Sequence, residues 1–149
     1  MNDKSKKNIK RIVIVVVSLM ILPFLAYGIL LLTIPISRSR EEVRSYVLRN
    51  MPMGTSWNEA LDIIDDKNWA IQYTHSDRGL IINYEADYAE FASPDDVTNS
   101  DRIKVGTKSM SIELGEFYAQ FHNAVFAYLA FDEDNKLIEI HIEKYIDAP

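Results

Sequence analysis

From Ile12 to Ile36 the chain runs for 25 residues without a charged side chain, and no other feature constrains so much of what the 149 residues can fold into. As a helix rising 1.5 Å per residue the run spans about 37 Å, against about 30 Å of bilayer hydrocarbon. The expectation is a transmembrane helix over 12–36, ending at Ile12 and Ile36 and held by the lipid bilayer. Lys4, Lys6, Lys7, Lys10 and Arg11 make a basic cytoplasmic tail of residues 1–11. A cleaved secretory signal is the alternative. Signal cores run about 7–15 residues and end in small residues, whereas this stretch ends in Leu32-Thr33-Ile34-Pro35-Ile36. Lipidation would need a cysteine, and the sequence has none. Pro23 lies inside the run, where neighbouring backbone can adjust, and Pro35 marks its exit.

Charge orients the chain. Five basic side chains and the amino terminus precede the run; Arg38, Arg40, Arg44 and Arg49 follow it, mixed with Glu41 and Glu42. The positive-inside rule places the N-terminus in the cytoplasm and exports the remainder. From Ser37 onward eleven basic side chains face twenty-one acidic ones, a net charge of −10. That field argues against nucleic acid or an anionic lipid surface and is compatible with a cationic partner. About 113 residues remain after the run, enough for one hydrophobic core.

Residues 37–54 read as a juxtamembrane helix and turn, and 55–149 as an extracytoplasmic α+β domain. Ser39 with Glu42, and Ser56 with Glu59, have capping-box spacing. Val43, Tyr46 and Val47 recur at helical intervals, as do Trp57, Ala60, Leu61 and Ile64. Met51-Pro52-Met53-Gly54 separates the two helices. Trp69–Thr74 and Leu80–Tyr88 read as strands joined into a hairpin by Ser76-Asp77-Arg78-Gly79. Residues 92–102 read as a loop. Strands follow at 103–114, with Gly106 a local irregularity, at 124–132 and at 137–146, the last two joined by Asp132-Glu133-Asp134-Asn135. In the last strand Ile138, Ile140, Ile142 and Ile146 alternate with Glu139, His141, Glu143 and Tyr145, which predicts one buried and one wet sheet face. The fold class is therefore α+β: two short helices packed on one face of a four- or five-stranded antiparallel sheet.

The helix–Met53-Gly54-Thr55-Ser56–helix start, the acidic hairpin turn and the ending Phe131-Asp132-Glu133-x-x-Lys136-Leu137-Ile138-x-Ile140 resemble SmpA/OmlA-type domains over roughly residues 50–146. Those domains share the fold of the β-lactamase inhibitor proteins. The resemblance implies a helix-pair-on-sheet scaffold used for protein binding or assembly. Two departures are visible: the lipidated cysteine of outer-membrane members is missing, and Asp65-Asp66-Lys67-Asn68 stands where relatives often carry Leu-Gly-x-Pro. An outer-membrane assembly role does not carry over, since fold alone is a weak warrant for function.

His75, His122 and His141 have no zinc-ligand spacing. Asp132–Asn135 lacks the glycine and distant glutamate of an EF-hand, and Asp95, Asp96 and Asp101 form no better set. No nucleophile elbow, phosphate loop or His-Glu-x-x-His is present. The expectation is a non-enzyme without cofactor or metal. The connection 115–121 carries three aromatics, and aromatic anchors dominate many interfaces; Tyr73, Tyr84 and Tyr88 extend the aromatic surface. Candidate protein-binding residues are Phe117, Tyr118, Phe121, Tyr128, His141 and Tyr145. The function expected is a membrane-anchored domain that binds another protein or peptide, in a modulating, assembly or immunity-type role. The rival is a small-ligand binder or enzyme with a pocket between helices and sheet, which four or more convergent polar side chains would favour.

Overall fold

The computed structural model describes residues 14, 16–29, 35–93, 96, 98–118 and 122–147, and the chain divides into two compact units, 1–34 and 35–149. In the first unit residues 16–29 form helix α1, whose apolar side chains are exposed nearly throughout. Among the described residues no helix is long and apolar enough to cross a membrane. This corrects the transmembrane helix expected over 12–36. Ile12 and residues 13, 15 and 30–34 of that span lie outside the described residues. Its expected far end belongs to the second unit: Pro35–Ser37 is a turn of 3-10 helix, and Ile36 is 9% exposed. The Ile36 carbonyl accepts Lys144 Nζ at 3.1 Å, and its side chain lies against Gly115.

In the second unit both capping boxes form, at Ser39/Glu42 and Ser56/Glu59, and start helices α2 (Arg40–Asn50) and α3 (Trp57–Asp66). Val43 and Val47 of α2, and Ala60 and Ile64 of α3, are buried four residues apart, as an amphipathic helix requires. Among the described residues seven strands follow: β1 (Ala70–His75), β2 (Leu80–Asn83), β3 (Tyr88–Phe91), β4 (Arg102–Val105), β5 (Lys108–Tyr118), β6 (His122–Phe131) and β7 (Leu137–Asp147). They make two antiparallel sheets, a four-stranded one in the order β1-β5-β6-β7 and a three-stranded one in the order β3-β2-β4. The single four- or five-stranded sheet expected from the sequence is corrected accordingly.

The helices cover one face of the large sheet. Trp57 meets Phe131 edge-on at 4.9 Å, and the α2–α3 turn is tied to the last hairpin by Gly54 N–H to the Leu137 carbonyl, Leu137 N–H to the Thr55 carbonyl and Trp57 N–H to the Asn135 carbonyl, at 2.8, 2.8 and 2.9 Å. The small sheet covers half of the other face. Leu80, Ile82 and Ala89 pack with Ala130 of β6, joined by Phe91, Val105 and Tyr128. The second unit is thus layered as helices, large sheet and small sheet, and the face expected to be wet is half closed.

The predicted β1–β2 hairpin does not exist. β1 pairs with β5, and β2 pairs with β3 and β4. Residues 76–79 instead carry the chain from one sheet to the other, and residues 106–107 carry it back. The two crossings touch: a Cβ on Gly79 would stand 2.1 Å from the Gly106 carbonyl oxygen. Gly106 has φ +73°, and its own Cβ would stand 2.6 Å from the Phe131 carbonyl oxygen. Only a residue without a side chain tolerates both the left-handed backbone and the close approach. This splits the strand expected over 103–114 into β4 and β5.

Candidate functional site

Cross-strand partners share a face of a sheet, so the register assigns each candidate residue to a side. Tyr73, Ser111, Tyr128 and His141 form one row across the large sheet, on the side that carries the small sheet. Glu113, Phe126 and Glu143 form the next; Glu116, Ala124 and Tyr145 the third; Tyr118 and His122 the fourth. The small sheet lies over the beginning of this series. Phe91 touches Tyr73, His75 and Tyr128 with ring centroids 4.4 to 6.1 Å apart. Ala89 N–H donates to Glu143 Oε1 at 2.5 Å. Past that point the sheet is open.

The open half carries Tyr118, 62% exposed, and Tyr145, 51% exposed. Tyr118 stacks on His122 at 4.8 Å, and Tyr145 meets Phe126 edge-on at 5.4 Å. Glu116 Oε2 lies 3.0 Å from His122 Nε2, which is buried and makes no hydrogen bond. The Tyr145 hydroxyl donates to Glu143 and lies 3.4 Å from that of Tyr128. Burial, then these hydrogen bonds, holds the Tyr145 phenol far above its ordinary range; burial also raises Tyr128. Both rings therefore stay neutral and present an apolar body with a polar tip. Glu143, Glu113 and Glu116 are the carboxylates beside them, and none of the residues named on this half is lysine or arginine.

Of the sequence candidates, Tyr118 and Tyr145 both lie on the open half, on either side of β6. Tyr128 and His141 lie in the row partly closed by the small sheet. Phe117 pairs with Asn123, which puts it on the helix-covered side, under Lys144 Nζ at 5.5 Å from its ring. Phe121 lies outside the described residues. Phe126, His122, Glu113 and Glu116 were not expected there; the register of β5 on β6 was the signal needed, and it requires the bulge between Glu113 and Gly115. Glu143, expected on a wet face, is 6% exposed. Ile138 and Ile146, expected inside, are 40% and 62% exposed, because a bulge at the start of β7 and the open end of the sheet leave them uncovered.

A second feature lies between α2, β7 and the β2–β3 turn. A cavity of about 250 Å³ is lined by Arg40, Glu41, Arg44, Tyr84, Asp87, Glu139 and His141 over an isoleucine floor. Arg40 pairs with Asp87; Arg44 holds Glu139 at 2.8 Å and the Ile140 carbonyl at 2.9 Å. His141 Nε2 is buried without a hydrogen-bond partner, 3.9 Å from Asp87 and 4.0 Å from Glu143. Burial lowers the His141 pKa below 6.5, so the ring is neutral at pH 7. Asp132–Asn135 is a hairpin turn, with Asn135 at φ +60° and Asp132 Oδ1 accepting Lys136 N–H at 2.8 Å. Among the described residues no group of three His, Asp or Glu side chains is placed to hold a metal ion. Comparison of the chain with protein-family models, with curated proteins and with solved structures returned no match.

Proposed function

We propose that residues 35–149 form a protein-binding module that takes a basic segment of another protein on the open half of the large sheet. The observation that carries this reading is the pair of exposed tyrosines, Tyr118 and Tyr145, set among His122, Phe126, Glu113 and Glu116 on one uncovered face. Aromatic side chains supply large contact area at low entropic cost, and carboxylates beside them select a cationic partner. The resemblance to SmpA/OmlA-type domains supports a binding rather than a catalytic role, as modulator, assembly factor or immunity-type protein. Residence at a cell envelope belongs to the same proposal. Its support is the basic segment before α1 and the uncovered apolar surface of α1, since a helix apolar on all sides is stable only when something covers it.

A photo-crosslinking side chain placed at Tyr118 or Tyr145 should give a discrete adduct in membranes of the native host, and one placed at Tyr84 should not. Glu113→Lys with Glu116→Lys should abolish it. Adducts of equal yield at all three positions, or none, would overturn the reading.

A second reading, a binder of a small polar ligand, is favoured by the seven polar side chains that converge on the 250 Å³ cavity. Its test is a thermal-shift screen of amino acids and small carboxylic acids. Stabilisation by a hit that Arg44→Ala removes supports it, and no hit counts against it.

A further inference from the structure

Resting on the protein-binding reading of the tyrosine face, we propose that the partner's basic segment presents an arginine there, its guanidinium seated over Ala124 between Glu116, Phe126, Tyr145 and His122.

The seat follows from one short side chain among long ones. In the third row across the large sheet, Ala124 stands between Glu116 on β5 and Tyr145 on β7. Along β6 the next residues on the same face are Phe126 and His122, each about 7 Å away. Ala124 ends at its methyl group, so its four larger neighbours rise around it as the walls of a depression. Tyr145 leans out of that space. Its ring meets Phe126 at 5.4 Å, and its hydroxyl reaches Glu143 and, at 3.4 Å, the Tyr128 hydroxyl, all in the two rows nearer the small sheet. Tyr118 stacks on His122 at 4.8 Å and backs the opposite wall.

The charge of the seat comes from a bulge. Glu113 and Glu116 are three residues apart, and in a regular strand they would face opposite sides of the sheet. The bulge between Glu113 and Gly115, with Gly115 at φ +135°, turns both carboxylates to the open face, opposite Phe126 and Ala124. Re-aiming a side chain is what bulges do beside binding sites. Glu113 accepts Gln72 Nε2 at 2.8 Å, and Glu116 stands 3.0 Å from a His122 Nε2 that makes no hydrogen bond. Glu139, Asp87 and Glu90 are each held by an arginine of the same chain, whereas among the described residues Glu113 and Glu116 have neither lysine nor arginine as a partner. A cation from the partner completes the site. Flat rings beside a carboxylate select arginine over lysine. A guanidinium is planar, weakly hydrated and stacks on aromatic faces while donating two parallel hydrogen bonds; an ammonium is a compact, strongly hydrated point charge.

The probe is Nα-acetylarginine amide, titrated into the full-length chain in detergent with its alanine methyl groups isotope-labelled. The Ala124 signal is identified by its loss in Ala124→Leu. It should shift saturably, while that of Ala89 in the small sheet stays in place. Nα-acetyllysine amide should bind roughly fivefold more weakly. Nα-acetylcitrulline amide, of the same shape without the charge, should leave the signal where it is. Glu116→Gln should weaken the arginine response about fivefold, as the loss of one exposed ion pair allows. An Ala124 signal that arginine does not move, that citrulline moves as far, or that lysine moves at equal affinity overturns the proposal. In host membranes Ala124→Leu should also suppress the cross-link from Tyr118. Failure of the underlying reading would leave no adduct in any variant with the arginine titration intact. Failure of the seat would leave an adduct that Ala124→Leu does not reduce.

Discussion

Truncating Leu80 to alanine separates a three-layered domain from one whose large sheet has a wet second face. Leu80 is fully buried among Ile82, Ala89 and Ala130, between the two sheets. The change removes three carbon atoms, about 2.4 kcal/mol at ~0.8 kcal/mol each. The cavity left behind adds to this, and buried Leu→Ala changes cost roughly 2.7–5.0 kcal/mol. A loss of about 3 kcal/mol is expected. With an unfolding entropy of about 2.1 cal/mol/K per residue over roughly 115 residues, it lowers Tm by about 12 °C. In urea the midpoint should fall by about 1–2 M at an unchanged slope, followed through the two tryptophans, Trp57 and Trp69. Ile138→Ala is the companion measurement. Strict alternation along β7 would make Ile138 a core residue, but it is 40% exposed, so its truncation should cost less than about 1 kcal/mol. A Leu80→Ala loss below about 1 kcal/mol, or an equal loss for Ile138→Ala, would refute the second core.

Gly106→Ala should destabilise by more than about 2 kcal/mol in the same assay, because it combines a left-handed backbone at φ +73° with a Cβ 2.6 Å from the Phe131 carbonyl oxygen. A loss below about 0.5 kcal/mol would count against the close crossing of the two sheet-to-sheet links. The His141 ring sets an acid limit: burial first, with Arg40 and Arg44 adding and Glu143 and Glu139 opposing, holds its pKa below 6.5. The unfolded chain takes up that proton near pH 6.5 and the folded chain does not. Stability present above 6.5 therefore declines as pH falls toward the folded value, and His141→Gln should flatten this part of the urea-midpoint profile. An unchanged profile would place the buried proton acceptor elsewhere.

The helices were legible because their signals are local. Ser39 with Glu42 and Ser56 with Glu59 bind backbone groups within one turn of themselves, and no distant residue is needed to complete either box. The last hairpin was legible for the same reason, its turn chemistry lying within Asp132–Lys136. Ser76-Asp77-Arg78-Gly79 carries equally good turn chemistry, yet β1 finds its partner in β5 and not in β2. A turn states that the chain reverses, not what it will lie beside. Phe117 and Tyr118 looked like one aromatic patch as neighbours in sequence, but consecutive strand residues point to opposite faces, and only Tyr118 reaches the open half.

By itself the sequence determined the helix starts, the turn of the last hairpin, the net acidic charge after the apolar run and the lack of cysteine. Each of these follows from residues within a few positions of one another, or from composition. Only the tertiary structure decided that the seven strands divide between two sheets, that Glu143 is enclosed while Ile138 is exposed, and that Ile36 belongs to a folded core. These depend on which segments come to lie over one another. That choice is made by complementary surfaces far apart in the chain, and the same alternating strand is wet or buried according to what covers it.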